Sequence, residues 1–456
     1  PIGRGPFDKR EGAIHTMKIP TMKPDVLRQY QEKLTTPEEA VQLVKSGDRI
    51  YYGVNISTPY GIDNLLAKRE PELEDVTVGG ASCFLPNGLL NPDSKAFHPN
   101  TFFFGTSERA AQKLKYVEHT SAHLSETDNW VYNILRPNVA FLPVSTPDEN
   151  GAMSMGPAGL VCGPYLLDCC KTIVLVVNKN IPYMRSDFMA HISDATCIVE
   201  MDEPLVSIPN LEPSPALEAI STFIADQTCD GACIQMGIGD LSTAVGFGLR
   251  NKNDLGIHSE MMGDSMMELV KRGNVTNARK AYLPGVSSAA FLMGTRDLYE
   301  WADWNDQLYF LPSPICNNPL NIAKNDNVLS VNTALEMDLV GQVVADNIVG
   351  TQYSSIGGQL DFVQGAQLSK GGKSFIALTS THTKNGQLYS NIVPRFQPGT
   401  FVTTPRSCVQ YVVTEYGCVN LKLLTMRERV LALIDLAHPS FREQLRDQAK
   451  EFGLLP

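Results

Sequence analysis

The chain is poor in the signals that mark metal, redox or nucleic-acid chemistry. Its ten cysteines are scattered, with no C-x-x-C. Cys169 and Cys170 are adjacent, and Cys229 and Cys233 stand four apart, which is not the paired short spacing of a zinc site. Free buried thiols in a reducing, cytoplasmic compartment are expected instead. The histidines include no H-E-x-x-H pair, and no G-x-S-x-G nucleophile elbow occurs. No bound metal and no permanently bound cofactor are therefore expected. A net charge of −11 excludes a bulk basic surface and argues against nucleic acid as a partner. It leaves room for an anionic small molecule held by a local cluster of donors. No run approaches the ~20 apolar residues of a membrane span, so no membrane partner is expected. The opening residues, PIGRGPFDKREG, carry charge but no apolar h-region, and a secretory signal is not expected there. Residues 1–30 suggest no role.

What is present is a globular composition. Of 456 residues, 43% are hydrophobic, enough for two domains that each bury a core. Early on, helical and strand patterns alternate. Thr36 before Pro37 and Glu38 starts a helix over 36–46. Strands are expected at Asp48–Tyr52, Val76–Gly79, Ala140–Pro143 and Thr172–Val177, with helices at Ser107–Tyr116 and Ile220–Asp226. Such alternation implies mostly parallel sheets covered on both faces, an α/β fold. The proline-rich PNLEPSP at 209–215 reads as a linker, which gives an N-terminal domain over 1–215 and a C-terminal domain over 216–456. The pattern then restarts. At a constant offset of 184, Gly47 meets Gly231, Ile50 meets Ile234, Gly53 meets Gly237 and Leu65 meets Leu249. Two related open α/β/α halves explain this, and so would chance similarity of two β-turn-α units.

Four places could carry chemistry. The turn G-I-G-D-L-S at 237–242 follows the apolar strand Ala232–Met236. Glycines admit a ligand to the backbone, and a helix start offers free N–H groups to a phosphate or an oxyanion. Position 242 is Ser, so this is not the dinucleotide fingerprint, and a plain turn is the bland reading. Glu260 lies in G-I-H-S-E-M-M-G-D at 256–264. The S-x-x-E run Ser265–Glu268 predicts a capping box and a helix start at Ser265, which accounts for Glu268 but not for Glu260. Glu260 is placed in the turn after a strand at Leu255–Ile257, at the strand ends where α/β sheets bind ligands. A solvated loop acid, or a charge at a helix start, would look the same. His258 reads as a packed or orienting residue rather than a metal ligand. Paired Gly357 and Gly358, ahead of Asp361, could expose oxyanion donors or simply form a tight loop capped by Asp361. The run VVTEYG (412–417) is a strand ending in Glu415, a rim acid or a turn residue.

Taken together, several motifs resemble one family. They are G-I-H-S-E-M-M-G-D with a downstream T-N, Q-M-G-I-G, the stretch N-D-N-V-L-S-V-N-T-A-L-E-M-D-L-V-G-Q (325–342), S-I-G-G-Q-L-D-F, V-V-T-E-Y-G and A-H-P-S-F-R. Their order resembles the acetyl-CoA hydrolase/4-hydroxybutyrate CoA-transferase family, a branch of the family I CoA-transferases, from about residue 30 to the end. The resemblance implies two α/β domains with the active site in the cleft between them and a homodimer or homotetramer. It implies coenzyme A as co-substrate and short-chain carboxylates as partners. It makes Glu260 the nucleophile, and Gly358 the donor to the thioester oxygen and a CoA contact. It implies that Gly237, Ile238, Gly239, Asp240 and Leu241 form the CoA loop, with Leu335 and Lys384 as further CoA contacts. Asn317 and Glu415 match polar residues that meet the substrate carboxylate. An acyl-CoA hydrolase on the same scaffold, and a non-catalytic ligand-binding protein, remain the alternatives.

Overall fold

The structure is a computed structural model and describes residues 21–456 apart from 86–87, 92, 114–116, 211 and 238. The opening PIGRGPFDKREG segment, the end of the helix expected to reach Tyr116, and Ile238 lie outside the described residues.

Two large sheets are built from the chain. The first has strands β1 (Arg49–Val54), β2 (Val76–Ala81), β3 (Phe97–Thr101), β4 (Glu118–His119), β5 (Val139–Val144), β6 (Thr172–Val177) and β7 (Cys197–Glu200). Their order is β4-β3-β2-β1-β5-β6-β7, with every pair parallel. Parallel strands covered on both faces should read as unbroken apolar runs. T-I-V-L-V-V does so in β6, where only Thr172 is not buried. The local signal at Thr36 holds. Thr36 accepts from the Glu39 N–H at 3.2 Å while the Glu39 carboxylate takes the Thr36 N–H at 3.2 Å, closing a capping box ahead of Pro37–Val41.

The second sheet has β8 (Cys233–Met236), β9 (Gly256–Met262), β10 (Ser287–Leu292), β11 (Leu308–Phe310), β12 (Val328–Thr333), β13 (Lys373–Ala377), β14 (Tyr411–Thr414) and β15 (Gly417–Asn420). The order is β11-β10-β9-β8-β12-β13-β14-β15, with only the last pair antiparallel. In both sheets the first strand is central, the next three run outward on one side, and the rest lie on the other. The repeat suggested by the sequence is thus a repeat of topology. Gly47 and Gly231 both carry left-handed φ values, +80° and +79°, ahead of the equivalent strands. The offset of 184 does not persist beyond the strand. The first half spends residues 55–59 before its helix Tyr60–Ala67, whereas the second half starts Asp240–Gly248 almost at once. Leu65 and Leu249 are therefore not equivalent.

Segment 201–214 passes between the sheets, and the helix Pro215–Asp226 opens the second half under an Ser214 cap. The halves share one continuous apolar core, in which Trp130 and Leu142 join Met236, Met261 and Leu292. Polar contacts cross as well: the Leu124 N–H meets the Gly357 carbonyl at 3.0 Å, and Asp303 accepts the Tyr183 N–H at 2.8 Å.

Candidate functional site

Two corrections come at Glu260. It is not in a turn, because β9 continues through it to Met262. Met261 and Met262 pair with Phe291 and Leu292 of β10, and this apolar pairing carries the strand past the acid. The capping box at Ser265–Glu268 does not form either. The helix is Asp264–Lys271 behind Gly263, so Ser265 already lies in its first turn. Its Oγ turns to the Ser242 carbonyl at 3.4 Å, and Glu268 faces Arg250 and Arg272, each at 3.8 Å.

Glu260 opens into a cavity of about 420 Å³ between the two halves. Its Oε2 accepts from Asn317 Nδ2 at 2.7 Å, and the Gly358 N–H also bonds to the carboxylate. A Cβ on Gly358 would fall 1.9 Å from Glu260 Oε2 and 2.2 Å from Asn317 Nδ2. Enclosure pushes the Glu260 carboxyl up to about 7, aided by the nearby Asp361 charge and opposed by the two donors. Groups held near neutrality in this way are able to act as nucleophile or base.

A buried chain of hydrogen bonds supports Asn317. Lys280 Nζ donates to Ser288 Oγ at 3.1 Å and to the carbonyls of Ile257 and Val286, both at 2.7 Å. Ser288 Oγ lies 3.2 Å from His258 Nδ1, and His258 Nε2 donates to the Cys316 carbonyl at 2.8 Å. The carbonyl has no hydrogen, so the Nε2–H tautomer is fixed. Burial, then the Lys280 charge, hold the imidazole down to about 3 and keep it neutral. His258 thus orients the residue before Asn317, the orienting role open to it from the sequence.

Gly237, Leu335 and Gly358 line the same cavity as Glu260. Gly239 has φ +95° and caps the helix Asp240–Gly248, whose Asp240 is exposed and whose Leu241 points into the core. Lys384 and Glu415 are not brought there. Glu415 accepts the Ser380 N–H at 2.8 Å and so anchors the hairpin Thr381–Lys384/Gln387–Ser390, on which Lys384 is exposed. At the matching place in the first half, the Glu203 carboxylate takes the Gly61 N–H at 2.6 Å at the start of the helix Tyr60–Ala67.

Residues missed from the sequence come from the first half. Phe103 supplies an aromatic wall, being 3.6 Å from where a Cβ on Gly357 would sit, with Glu260 Oε1 at 3.8 Å from the same point. Ser125 bonds to Asp361 across the cleft. His119 and His123 stand four apart, a ligand-like spacing in the sequence. His119 lies in β4 and His123 pairs with Gly357 instead, and among the described residues no group of three or more metal-ligating side chains occurs. No helix of the described residues is long and apolar enough to cross a membrane.

Residues 21–209 match the acetyl-CoA hydrolase/transferase N-terminal domain, and residues 294–449 match the acetyl-CoA hydrolase/transferase C-terminal domain. The chain is 38% identical to a butyryl-CoA:acetate CoA-transferase of Anaerostipes caccae over 93% of this chain and 97% of that protein. It is 38% identical to a 4-hydroxybutyrate coenzyme A transferase of Clostridium kluyveri over 92% and 98%. The crystal structure of RipA from Yersinia pestis superposes with a TM-score of 0.87 at 34% identity, covering 94% of this chain and all of that one.

Proposed function

This chain is a CoA-transferase of the acetyl-CoA hydrolase/transferase family, and we propose that it moves CoA between short-chain monocarboxylates, acetate, butyrate or 4-hydroxybutyrate, through a glutamyl-CoA thioester on Glu260. The observation that carries this reading is the Glu260 carboxylate at the cavity wall, with the Asn317 amide at 2.7 Å and the Gly358 N–H as donors.

The chemistry follows from those groups. Ionised Glu260 attacks the thioester carbonyl of an acyl-CoA. The oxyanion that develops needs preorganised donors, and the Gly358 N–H and Asn317 amide are the nearest. Collapse expels CoA thiolate and leaves a mixed acyl-glutamyl anhydride. The thiolate adds to the glutamyl carbonyl, releasing the first carboxylate and forming the glutamyl-CoA thioester. A second carboxylate attacks that carbonyl, and the thiolate returns to the new acyl group, freeing Glu260. Thiolate is a good leaving group, and covalent catalysis divides the exchange into easier steps with ping-pong kinetics. The anhydride must be screened from water, which an aromatic, interdomain cavity favours. In this reading the pantetheine arm follows Gly237–Leu241 and Leu335, while Lys384 meets CoA phosphates outside the cavity. Glu415 serves the hairpin that carries Lys384.

Monocarboxylates fit the lining. Phe84, Phe102, Phe103, Phe104 and Phe291 contribute to it, and Arg109 is its only cation among the described residues. Arg109 is already engaged by the Tyr353 carbonyl at 3.0 Å, Thr106 Oγ1 at 3.2 Å and the Tyr353 ring at 4.7 Å. A dicarboxylate would have no free cation beside Glu260.

The direct test is to incubate the protein with butyryl-CoA, reduce with borohydride and map the product by mass spectrometry. Modification is expected on the Glu260 peptide. Label passing from butyryl-CoA to acetate with that peptide unmodified would defeat the reading. Phe103 supplies a second check, because its ring stands against the nucleophile. In Phe103→Ala the preference for hexanoyl-CoA over acetyl-CoA, as kcat/KM, is expected to rise about tenfold, within the ~10–200-fold range that a methylene commands in an apolar pocket. An unchanged ratio would remove Phe103 from the acyl site.

A further inference from the structure

Asp361 is a buried carboxylate that the exchange chemistry does not use. It is 5% exposed and does not line the cavity. It lies in the first turn of the helix Gln359–Leu368, directly after the Gly357-Gly358 loop. No ion pair involves it among the described residues. Its ligands are donors: Oδ1 takes the Ser125 hydroxyl at 2.8 Å, Oδ2 takes the Ser125 N–H at 3.2 Å, and the Asn317 side chain bonds to it as well. Burial holds its carboxyl above the usual carboxylate range, while the Ser125 and Asn317 donors favour the ionised form.

Ser125 belongs to the other half of the molecule. Its neighbour Leu124 donates to the Gly357 carbonyl at 3.0 Å, and His123 forms a parallel bridge with Gly357. The short segment 123–125 is thus laid along the loop that carries the Gly358 donor. The Asn317 nitrogen stands between two carboxylates, Glu260 and Asp361, which leaves its Oδ1 buried without a hydrogen-bond partner.

Resting on the nucleophilic role of Glu260, we propose that Ser125 and Asp361 form an interdomain clasp that positions the Gly358 N–H and the Asn317 amide on Glu260. Both are positioning residues. The clasp ties the geometry of the nucleophile to the docking of the first half, so the anhydride can form only where the cleft is assembled around it. The charge on Asp361 has a second consequence. It opposes ionisation of Glu260, and removing it should ease that ionisation. Other groups around Glu260 do not offset this. Asn317 and Gly358 are neutral donors, Phe103 is apolar, His258 is neutral, and the Cys316 thiol is held protonated by burial. Lys280 lies behind His258, and His123 stands beyond Asp361, where a positive charge would favour the Asp361 carboxylate.

The test measures label exchange between butyryl-CoA and acetate against pH in wild type, Asp361→Asn, Ser125→Ala and Ser125→Thr. Wild-type kcat/KM should show an acid limb near pH 7, where Glu260 titrates. In Asp361→Asn the limb should move to lower pH by roughly half a unit or more, since removal of a like charge favours the carboxylate. Ser125→Ala keeps that charge and should lose about tenfold in kcat with KM for butyryl-CoA within about twofold, the pattern of a lost transition-state interaction. Ser125→Thr should restore it. A limb that stays in place in Asp361→Asn, or a Ser125→Ala enzyme with wild-type kcat, would overturn the clasp. If Asp361→Asn does not fold, the Ser125 pair decides the matter alone. Exchange that survives loss of the Glu260 carboxylate would instead refute the proposed function, so the two failures are distinct.

Discussion

Glu260→Gln is expected to reduce exchange between butyryl-CoA and acetate by on the order of 10⁴-fold or more, the scale on which an essential covalent nucleophile is lost. The substitution keeps the volume and lets the amide oxygen accept from Asn317, now 2.7 Å away. Only the negative charge and its nucleophilicity disappear. No second carboxylate lines the cavity among the described residues to take over. Folding should survive and even improve at alkaline pH. Glu260 titrates near 7 in the folded protein against 4.5 as its ordinary value. The folded state therefore holds that proton more tightly than the unfolded state, and wild type loses stability as pH rises from about 4.5 through about 7. Glutamine does not titrate. Thermal melts should place Glu260→Gln above wild type near pH 8, with the gap closing toward pH 4.5. Near-wild-type exchange in a well-folded variant would require a different nucleophile.

That acid was visible in the sequence, but its setting was not. An unexplained carboxylate beside an apolar run stands out. Whether the strand stops before it depends on Phe291 and Leu292, which pair with Met261 and Met262 from the neighbouring strand. Ser265 and Glu268 fit a capping box by spacing alone, yet the strand's extension moves the helix start to Asp264. Tertiary pairing overrode a local signal in both cases. The parallel sheets were legible for the opposite reason. Residues 172–177 are β-branched apart from Leu175 and apolar apart from Thr172, so burial on both faces and local preference agree. Gly47 and Gly231 likewise mark the repeat, because both need a left-handed backbone before the strand. Ser125 and Asp361 lie 236 residues apart, and no periodicity links such a pair. Phe103 is one of three successive phenylalanines, and nothing local shows which of them faces the nucleophile. A site assembled from two domains is readable from sequence only on the side that carries the charged group.

Gly358→Ala should be nearly as damaging as loss of the nucleophile, and it separates two reasons for the paired glycines. Gly357 has φ +59°, a left-handed conformation in which any side chain is strained. Gly358 has φ −99°, which alanine adopts freely. Its need for glycine is one of space, since a methyl there would start 1.9 Å from Glu260 Oε2 and 2.2 Å from Asn317 Nδ2. Neither partner can yield without cost: Asn317 is fully buried, and the carboxylate is the attacking group. The carboxylate must turn into the cavity or the loop must retreat, and either motion breaks its bond to the Gly358 N–H. Loss of one preorganised donor costs about 10²–10³ in kcat, and displacement of the nucleophile adds to that. Stability should fall by only about 1–3 kcal/mol, as for overpacking elsewhere, so the protein should remain folded and testable. The acid limb should shift as well, because a carboxylate freed from its Gly358 donor but turned toward solvent loses the enclosure that raises it. Gly358→Ala with wild-type kcat would mean that the donor to the oxyanion lies elsewhere.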